Sequence, residues 1–178
     1  MSKPTLDYTE MPRYLEPICS YDYGLGDLHD FLARNNVNTD PDFQRVHVWT
    51  LQQRTAYMEH IFRGGKTALD IYINSPGWSE GASSDAVLVD GKQRVETVRL
   101  FIANEVPIFG GYLLKDITLH GKEAGRLLWG RHTMKVHVND LRTRAEVLQW
   151  YLDINAGGTP HTSEEIWKVR KMLEESNG

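Results

Sequence analysis

Apolar residues recur along the chain at two spacings, one typical of helices and one typical of strands. Stripes at helical spacing run through residues 28–34, 51–62, 95–104, 147–156 and 166–173. Short runs of β-forming residues cover Leu69–Ile73, Ala86–Val89 and Met134–Val138. The pattern predicts an α+β fold in which four to five helices pack on a small mixed sheet.

Polar residues at the starts of the stripes predict where the helices begin. Three pairs have the spacing of a capping box: Thr50 with Gln53, Thr143 with Glu146, and Thr162 with Glu165. Asp27 is a candidate N-cap for the first helix. Two shorter runs, Tyr112–Leu114 and Ile117–Leu119, are weaker candidates for strands.

Length and composition predict one domain with a short extension. Residues 1–20 contain three prolines and no periodicity, so we expect them to form an arm on the surface of a single domain that covers residues 21–178. No apolar run is long enough to cross a membrane, and the N-terminus has no stretch of signal-peptide type. We therefore expect a cytoplasmic protein without a membrane partner. The single cysteine, Cys19, excludes a disulfide framework within the chain.

The formal net charge of −4 argues against a large electrostatic footprint for duplex nucleic acid. One segment is locally basic and contains Arg126, Arg131, Lys135, Arg142 and Arg144. Such a cluster is more often a solvated surface than a nucleic-acid contact, although a local basic groove stays open as an alternative.

The run Asp90-Gly91-Lys92-Gln93-Arg94 lies between an apolar strand and an amphipathic helix. It predicts a strand end, a glycine turn and the first turn of a helix. The first amides of a helix lack backbone partners, and the helix dipole makes this end attractive to anions. Lys92 and Arg94 are unfavourable here unless an anion binds beside them; the alternative is that they tolerate a penalty of about 0.3–1 kcal/mol.

Two further segments interrupt the periodic structure. Residues 38–45 precede Val48-Trp49-Thr50, and they can be read as an extended lead-in whose Phe43 and Trp49 pack on the core. Residues 154–162 can be read as a connection between two helices, with glycines after one helix and Pro160 at the start of the next. Phe43, Trp49 and Tyr72 are also candidates for stacking on a base, although aromatic residues at such spacing more often belong to the core.

Taken together and in order, the three segments resemble a known family. Phe43-Gln44-Arg45 with Trp49, then Asp90–Arg94 after a strand, then Asn155–Pro160 between helices is similar to the ParB/sulfiredoxin-like NTPase domain. The closer resemblance, over roughly residues 22–175, is to the branch at the N-terminus of GmrSD-type restriction enzymes, which also occurs in nicking enzymes that sense phosphorothioate DNA. The chain departs from the Asp-Gly-Gln-Gln-Arg pattern of the family at Lys92.

The resemblance implies a ParB-like fold with a pocket that binds and hydrolyses a nucleoside triphosphate with Mg²⁺. It implies a link to DNA modification and restriction, and a stand-alone domain suggests a phage-encoded protein in phage–host conflict. Nucleic acid or a host defence protein is then a further candidate partner. His132, His137 and Asn139 form no recognisable nuclease pattern, so we interpret them as ordinary polar residues and expect no autonomous DNA cleavage.

The candidate site residues follow from the chemistry of phosphoryl transfer, which needs positioning and neutralisation of charge. The predicted nucleotide-binding residues are Arg45, Gly91, Lys92, Gln93, Arg94 and Asn155. Asp90 and Arg94 are the candidate catalytic residues, and Asp90 is the candidate Mg²⁺ ligand, with capping of the helix as an equal alternative. For Asn155 the alternative role is to end its helix.

Two other functions stay open at this stage. A kinase could use the same pocket, and a non-catalytic interaction module could act as a decoy of a restriction system. His47 and His161 are candidate acid–base groups beside two of the segments, without an identifiable partner. The chain has no Walker A pattern, which excludes a P-loop enzyme.

Overall fold

The computed structural model describes residues 15–44, 48–81, 85–117, 130–156 and 163–176, with the side chains of residues 163–165 outside the description. Within these ranges four strands form one sheet: β1 (Cys19–Gly24), β2 (Asp70–Asn74), β3 (Val87–Asp90) and β4 (Thr133–Asn139). The order across the sheet is β1-β4-β2-β3. β4 pairs antiparallel with β1 and parallel with β2, and β2 pairs antiparallel with β3. The sheet is therefore mixed, as the sequence predicts.

The described part of the chain contains five α-helices, which confirms the α+β class. They are α1 (Leu25–Arg34), α2 (Leu51–Phe62), α3 (Lys92–Ile102), α4 (Arg144–Ala156) and α5 (Ser163–Ser176). Short 3₁₀ helices cover Trp78–Glu80 and Leu114–Asp116.

Two of the three predicted capping boxes lie within the described residues, and both are formed. The Thr50 hydroxyl accepts from the backbone N–H of Gln53 at 3.2 Å, and the Gln53 side chain accepts from Thr50 N–H at 2.8 Å. Thr143 and Glu146 exchange the equivalent bonds at 3.2 and 2.9 Å. The Glu146 carboxylate also accepts from the Thr143 hydroxyl at 2.9 Å, and this bond, with those from the backbone N–H groups of Thr143 and Arg142, holds the pKa of Glu146 below its ordinary value. The third box, at Thr162, lies outside the described residues.

Two sequence predictions about local structure are wrong. Asp27 is not the N-cap of α1, because the helix follows strand β1 directly and its N-cap is Gly24; Asp27 lies in the first turn, where a carboxylate is favourable to the dipole. Residues 112–114 form no strand, because Gly110 and Gly111 adopt positive φ and turn the chain. Tyr112 makes only an isolated bridge to Ile108. Ile117 is outside any strand, and residues 118 and 119 lie outside the description.

Two apolar clusters cover the sheet from opposite faces. Helices α1, α2 and α3 pack on the face that carries Ile71, Ile73, Val136 and Val138. Helices α4 and α5 pack on the other face at its β3 end, around Val89. Because side chains alternate between the faces of a strand, Asp70, Tyr72 and His137 share this second face.

Candidate functional site

The turn between β3 and α3 has the geometry that the Asp90–Arg94 motif predicts. β3 ends at Asp90, Gly91 is the N-cap, and Lys92 begins the helix. Gly91 has a φ of +104°, and a Cβ at this position would lie 2.5 Å from Cδ1 of the buried Ile71. Glycine is therefore required both by the backbone conformation and by the close approach of β2.

Asp90 and Arg94 form an ion pair across the first turn of α3, with both side chains mostly buried. Tyr72 pairs with Asp90 in the sheet. Burial raises the pKa of Tyr72, the carboxylates of Asp70 and Asp90 raise it further, and the charge of Arg94 opposes them. Burial also raises the pKa of Tyr57, again opposed by Arg94. The predicted catalytic pair thus lies near Tyr72 of β2, and the charge of Arg94 also acts on Tyr57 of α2.

The side chain of Lys92, in the same turn, pairs with a different part of the chain. Its ammonium group pairs with the carboxylate of Asp40, in the first of the three motif segments. Asp40 is well exposed, so this pair borders solvent. Asp40 was not among the residues that sequence reasoning selected, although it lies within the segment that the resemblance quotes.

Gln93 forms a clamp between α3 and the residues before α2. Its side-chain oxygen accepts from the backbone N–H of Trp49 at 2.9 Å and from Arg54 at 3.5 Å. Arg54, which is only 6% exposed, also donates to the Trp49 carbonyl at 3.2 Å and to Thr97 at 3.0 Å. The oxygen of Gln93 is therefore occupied by the fold, while its amide N–H groups have no partner in the part of the chain described.

The first motif segment runs along the outer edge of β3. Asn38 exchanges backbone bonds with Ala86 and Leu88, at 2.8 and 2.9 Å, and the Gln44 amide donates to the Leu88 carbonyl. Phe43 is buried against Tyr151 of α4, with ring centroids 5.4 Å apart. This contact confirms the core interpretation of Phe43.

The structure brings the segment that begins at Asn38 next to the Asp90–Arg94 turn. It also places α4, the helix that ends in the third motif segment, beside Phe43. Asn155 lies one turn after Tyr151 in α4, and its amide donates to the Tyr151 carbonyl at 2.7 Å. Arg45, His47 and residues 157–162 lie outside the described residues. The convergence of Arg45, Arg94 and Asn155 on one site stays a prediction.

A cavity of about 400 Å³ lies between α1 and α3, next to Lys92. Leu28, Leu32, Val95 and Val98 are among the apolar residues that line it. Polar side chains also line the cavity: His29, Asn36, Thr39, Asp40, Lys92, Glu96 and Arg99. Its size and mixed lining are typical of small-molecule sites.

Comparison with protein families gives a match over residues 28–171, to the GmrSD restriction endonuclease N-terminal domain. The chain belongs to this family. The matched range contains every candidate site residue and every residue that lines the cavity. Comparisons with curated proteins and with solved structures gave no match.

In this GmrSD N-terminal domain the locally basic segment is partly neutralised. Arg142 pairs with Glu80 and Asp140, and Arg144 pairs with Asp42. Lys135 is exposed on β4, and Arg126 lies outside the described residues. These ion pairs favour a solvated surface for the described part of the segment.

His137 is more than the ordinary polar residue that we expected. Its ring bonds to Ser20 on one side and to Asp70 on the other, both at 2.8 Å. Sequence reasoning missed this constellation because it depends on the pairing of β1 with β4. The only signal in the sequence was the alternation that puts Lys135 and His137 on the same face of one strand.

The described residues show neither a ready-made metal site nor a membrane-spanning helix. Among them, no group of three or more His, Cys, Asp or Glu side chains is arranged to hold a metal ion. No described helix combines the length and apolarity needed to span a membrane.

Proposed function

We propose that this GmrSD N-terminal domain binds a nucleoside triphosphate with its phosphates at the start of α3, and hydrolyses it. The observation that carries this proposal is the Gly91 turn, where the start of α3 has no side-chain cap and lies between two cations. Lys92 lies on one side and Arg94 on the other, and each is paired with a carboxylate. A phosphate can replace these pairings, because helix N-termini and cations together favour multiply charged anions.

The cavity beside Lys92 supports a place for the nucleoside. A base and ribose would pack on Leu28, Leu32 and Val95, with polar groups at the rim to bond their edges. The volume of about 400 Å³ is within the roughly 300–1,000 Å³ typical of ligand pockets. The phosphates would then extend from Lys92 towards Arg94 over the first turn of the helix.

The residues at the turn fit the chemistry that hydrolysis requires. Mg²⁺, when bound, would neutralise phosphate charge, and the carboxylate of Asp90 is the type of oxygen ligand that it prefers. Arg94 would hold phosphate oxygens in a two-pronged contact, and the Gln93 amide would donate a further bond. Arg45 and Asn155 are proposed to complete the pocket.

Membership of the family links the domain to restriction systems. We propose on this basis that nucleotide turnover is coupled to DNA modification or restriction, with nucleic acid or a host defence protein as the partner, in a phage-encoded context. The kinase and the interaction module are the competing functions.

Thermal unfolding with each common nucleoside triphosphate, with and without Mg²⁺, tests the proposal. At a ligand concentration of about 100 times the dissociation constant, binding should stabilise the fold by about 2.7 kcal/mol. Arg94→Ala should abolish this effect, while Arg63→Ala should retain it. Arg63 is a matched control because it forms an ion pair of the same i,i+4 spacing, at the C-terminal end of α2.

Phosphate release measured on the same proteins separates the competing functions. Release in step with nucleotide consumption supports hydrolysis, and label transferred to an acceptor other than water would indicate a kinase. Absence of any thermal shift would contradict the nucleotide pocket and favour the interaction module.

A further inference from the structure

Ser20, His137 and Asp70 form a continuous chain of hydrogen bonds across three neighbouring strands. The Ser20 hydroxyl lies 2.8 Å from Nδ1 of His137, and Nε2 of His137 lies 2.8 Å from Oδ1 of Asp70. The residues come from β1, β4 and β2, which are adjacent in the sheet. A serine, an imidazole and a carboxylate in this order have the connectivity of an activated nucleophile.

The hydrogen bonds fix the direction of proton transfer. A carboxylate oxygen can only accept, so the neutral ring carries its proton on Nε2, facing Asp70. Nδ1 then presents a lone pair to Ser20, whose hydroxyl donates to it. In this tautomer His137 is a base directed at the serine, and Asp70 holds the ring in that orientation.

The surroundings hold the base and leave the nucleophile accessible. Tyr72 stacks on the His137 ring, with centroids 4.6 Å apart and 17° between the planes. The His137 side chain is only 15% exposed, whereas Ser20 is exposed on the outermost strand. An incoming molecule can therefore reach the hydroxyl, while the imidazole cannot rotate freely.

A cation is available for the negative charge that an attack on a carbonyl creates. Lys135 lies two residues before His137 on the same face of β4, and is exposed. Asp22 and Asp70 occupy its register positions on the neighbouring strands.

We propose that Ser20 is a catalytic nucleophile that accepts the acyl group of carboxylic esters, with His137 as its base and Asp70 as a positioning residue. Ser20 Oγ attacks the carbonyl carbon and passes its proton to His137. The bond to the alcohol breaks, and the alcohol leaves with that proton. Water then attacks the acyl-serine, again through His137, and the carboxylic acid and free Ser20 are restored. The proposal is independent of nucleotide binding.

The chain offers an internal control for the test. The Ser79 hydroxyl bonds to the carboxylate of Asp140 without an intervening imidazole. Ser79 is therefore an exposed serine beside an acid that lacks the base. A difference in reactivity between Ser20 and Ser79 in one molecule reports on His137 and not on exposure alone.

The experiment is treatment of the full chain with a fluorophosphonate, with the labelled serine identified by peptide mass spectrometry. The serine oxygen displaces fluoride from phosphorus, and the proton passes to the base. We expect labelling of Ser20 at least about 100-fold faster than that of Ser79, and a loss of similar size in His137→Gln. Hydrolysis of p-nitrophenyl acetate should be lost in Ser20→Ala.

Asp70 is tested by a pair of variants whose readout a merely structural role would not change. Asp70→Ala removes the acceptor for Nε2–H of His137 and should slow the labelling of Ser20 without changing that of Ser79. Asp70→Glu keeps a carboxylate beside the ring and should restore part of the lost rate.

Equal labelling of Ser20 and Ser79 would overturn the proposal. So would labelling of Ser20 that His137→Gln leaves unchanged, or labelling that is equally fast in the wild type and in Asp70→Ala. If Ser20→Ala still hydrolyses p-nitrophenyl acetate, Ser20 is not the nucleophile for carboxylic esters. Because no step uses a nucleotide, none of these outcomes affects the proposed function.

Discussion

The side-chain oxygen of Gln93 accepts a hydrogen bond from the backbone N–H of Trp49, at 2.9 Å. This bond joins the first turn of α3 to the residues that lead into α2, 44 positions earlier in the chain. Trp49 in turn packs edge-on against Tyr57, with ring centroids 5.2 Å apart, at the border of the main core. A residue predicted from the family pattern to bind phosphate is thus also part of the framework.

Replacing Gln93 with alanine should destabilise the fold. The change removes the acceptor for Trp49 N–H and one acceptor of Arg54; Arg54 is buried and Trp49 is half-buried. Loss of a partner for such a group costs about 1–3 kcal/mol. Urea unfolding measures the free energy, and Gln52→Ala on the exposed face of α2 should change it by less than about 0.5 kcal/mol. Equal effects of the two changes would mean that the clamp contributes nothing.

Gly91→Ala should destabilise the fold more than Gly64→Ala. Both glycines have positive φ, +104° and +86°, so both substitutions introduce backbone strain of about 1–2 kcal/mol. Only at position 91 does the new Cβ meet another atom, Cδ1 of Ile71 at 2.5 Å, and overpacking adds about 1–3 kcal/mol.

The second substitution Ile71→Val tests the cause, because it deletes the clashing atom. In the Gly91→Ala background it should recover part of the lost stability, whereas alone it should cost about 0.5–1.5 kcal/mol. Strictly additive effects in the double variant would contradict the clash.

Asp90→Asn should impair metal-dependent turnover more than nucleotide binding. Asp90 lies at the mouth of the Gly91 turn, where a carboxylate beside phosphates is repelled unless a cation lies between them. Without Mg²⁺ the variant should bind a nucleotide as tightly as the wild type, or more tightly. The measurement pairs nucleotide affinity, with and without Mg²⁺, with phosphate release.

The control for this change is Asp42→Asn, which removes a carboxylate paired with Arg144 away from the turn and should retain turnover. Full turnover in Asp90→Asn would contradict a role in metal binding and leave Asp90 with a structural role, as the ion-pair partner of Arg94 at the start of α3.

Acidification should destabilise the fold through His132. Burial lowers the pKa of this imidazole, and the charges of Arg131 and Lys66 lower it further. Between its folded and its ordinary value of about 6.5, the unfolded chain binds the proton and the folded chain does not. The free energy of unfolding should therefore fall as the pH drops through about 6.5, and level off below the folded value.

Urea unfolding at pH 7.5 and pH 5 checks this prediction. The loss of unfolding free energy between the two pH values should be smaller in His132→Gln than in the wild type. A wild-type loss that His132→Gln does not reduce would assign the pH dependence to other groups.

Local signals in the sequence were enough to predict the helices and most of the sheet. Thr50 and Thr143 lie next to their bonding partners, so capping can be read from a few residues. β1 could not be found this way, because residues 19–24 lack an apolar alternation and β1 pairs with residues 133–138. Asp27 was misread for the same reason, since the strand runs directly into α1.

In the candidate site, too, the features set by neighbouring residues could be predicted, and those set by distant residues could not. The strand, the Gly91 turn and the helix are consecutive and were predicted from the motif. The pairing of Arg94 with Asp90 follows from their i,i+4 spacing, but the partner of Lys92 does not. Asp40 reaches Lys92 from 52 positions away. The constellation around His137 needs the register of three strands, which no local pattern specifies.

The order β1-β4-β2-β3 has a consequence for how the protein is made. β4 lies between β1 and β2, yet it is synthesised after them, at residues 133–139. A nascent chain that has emerged only to residue 117 can pair β2 with β3, but β1 and one edge of β2 still lack their neighbour. Such unpaired edges favour association with other chains. The protein should therefore complete its sheet late in synthesis, and a truncation before residue 133 should yield an aggregating chain rather than a smaller folded domain.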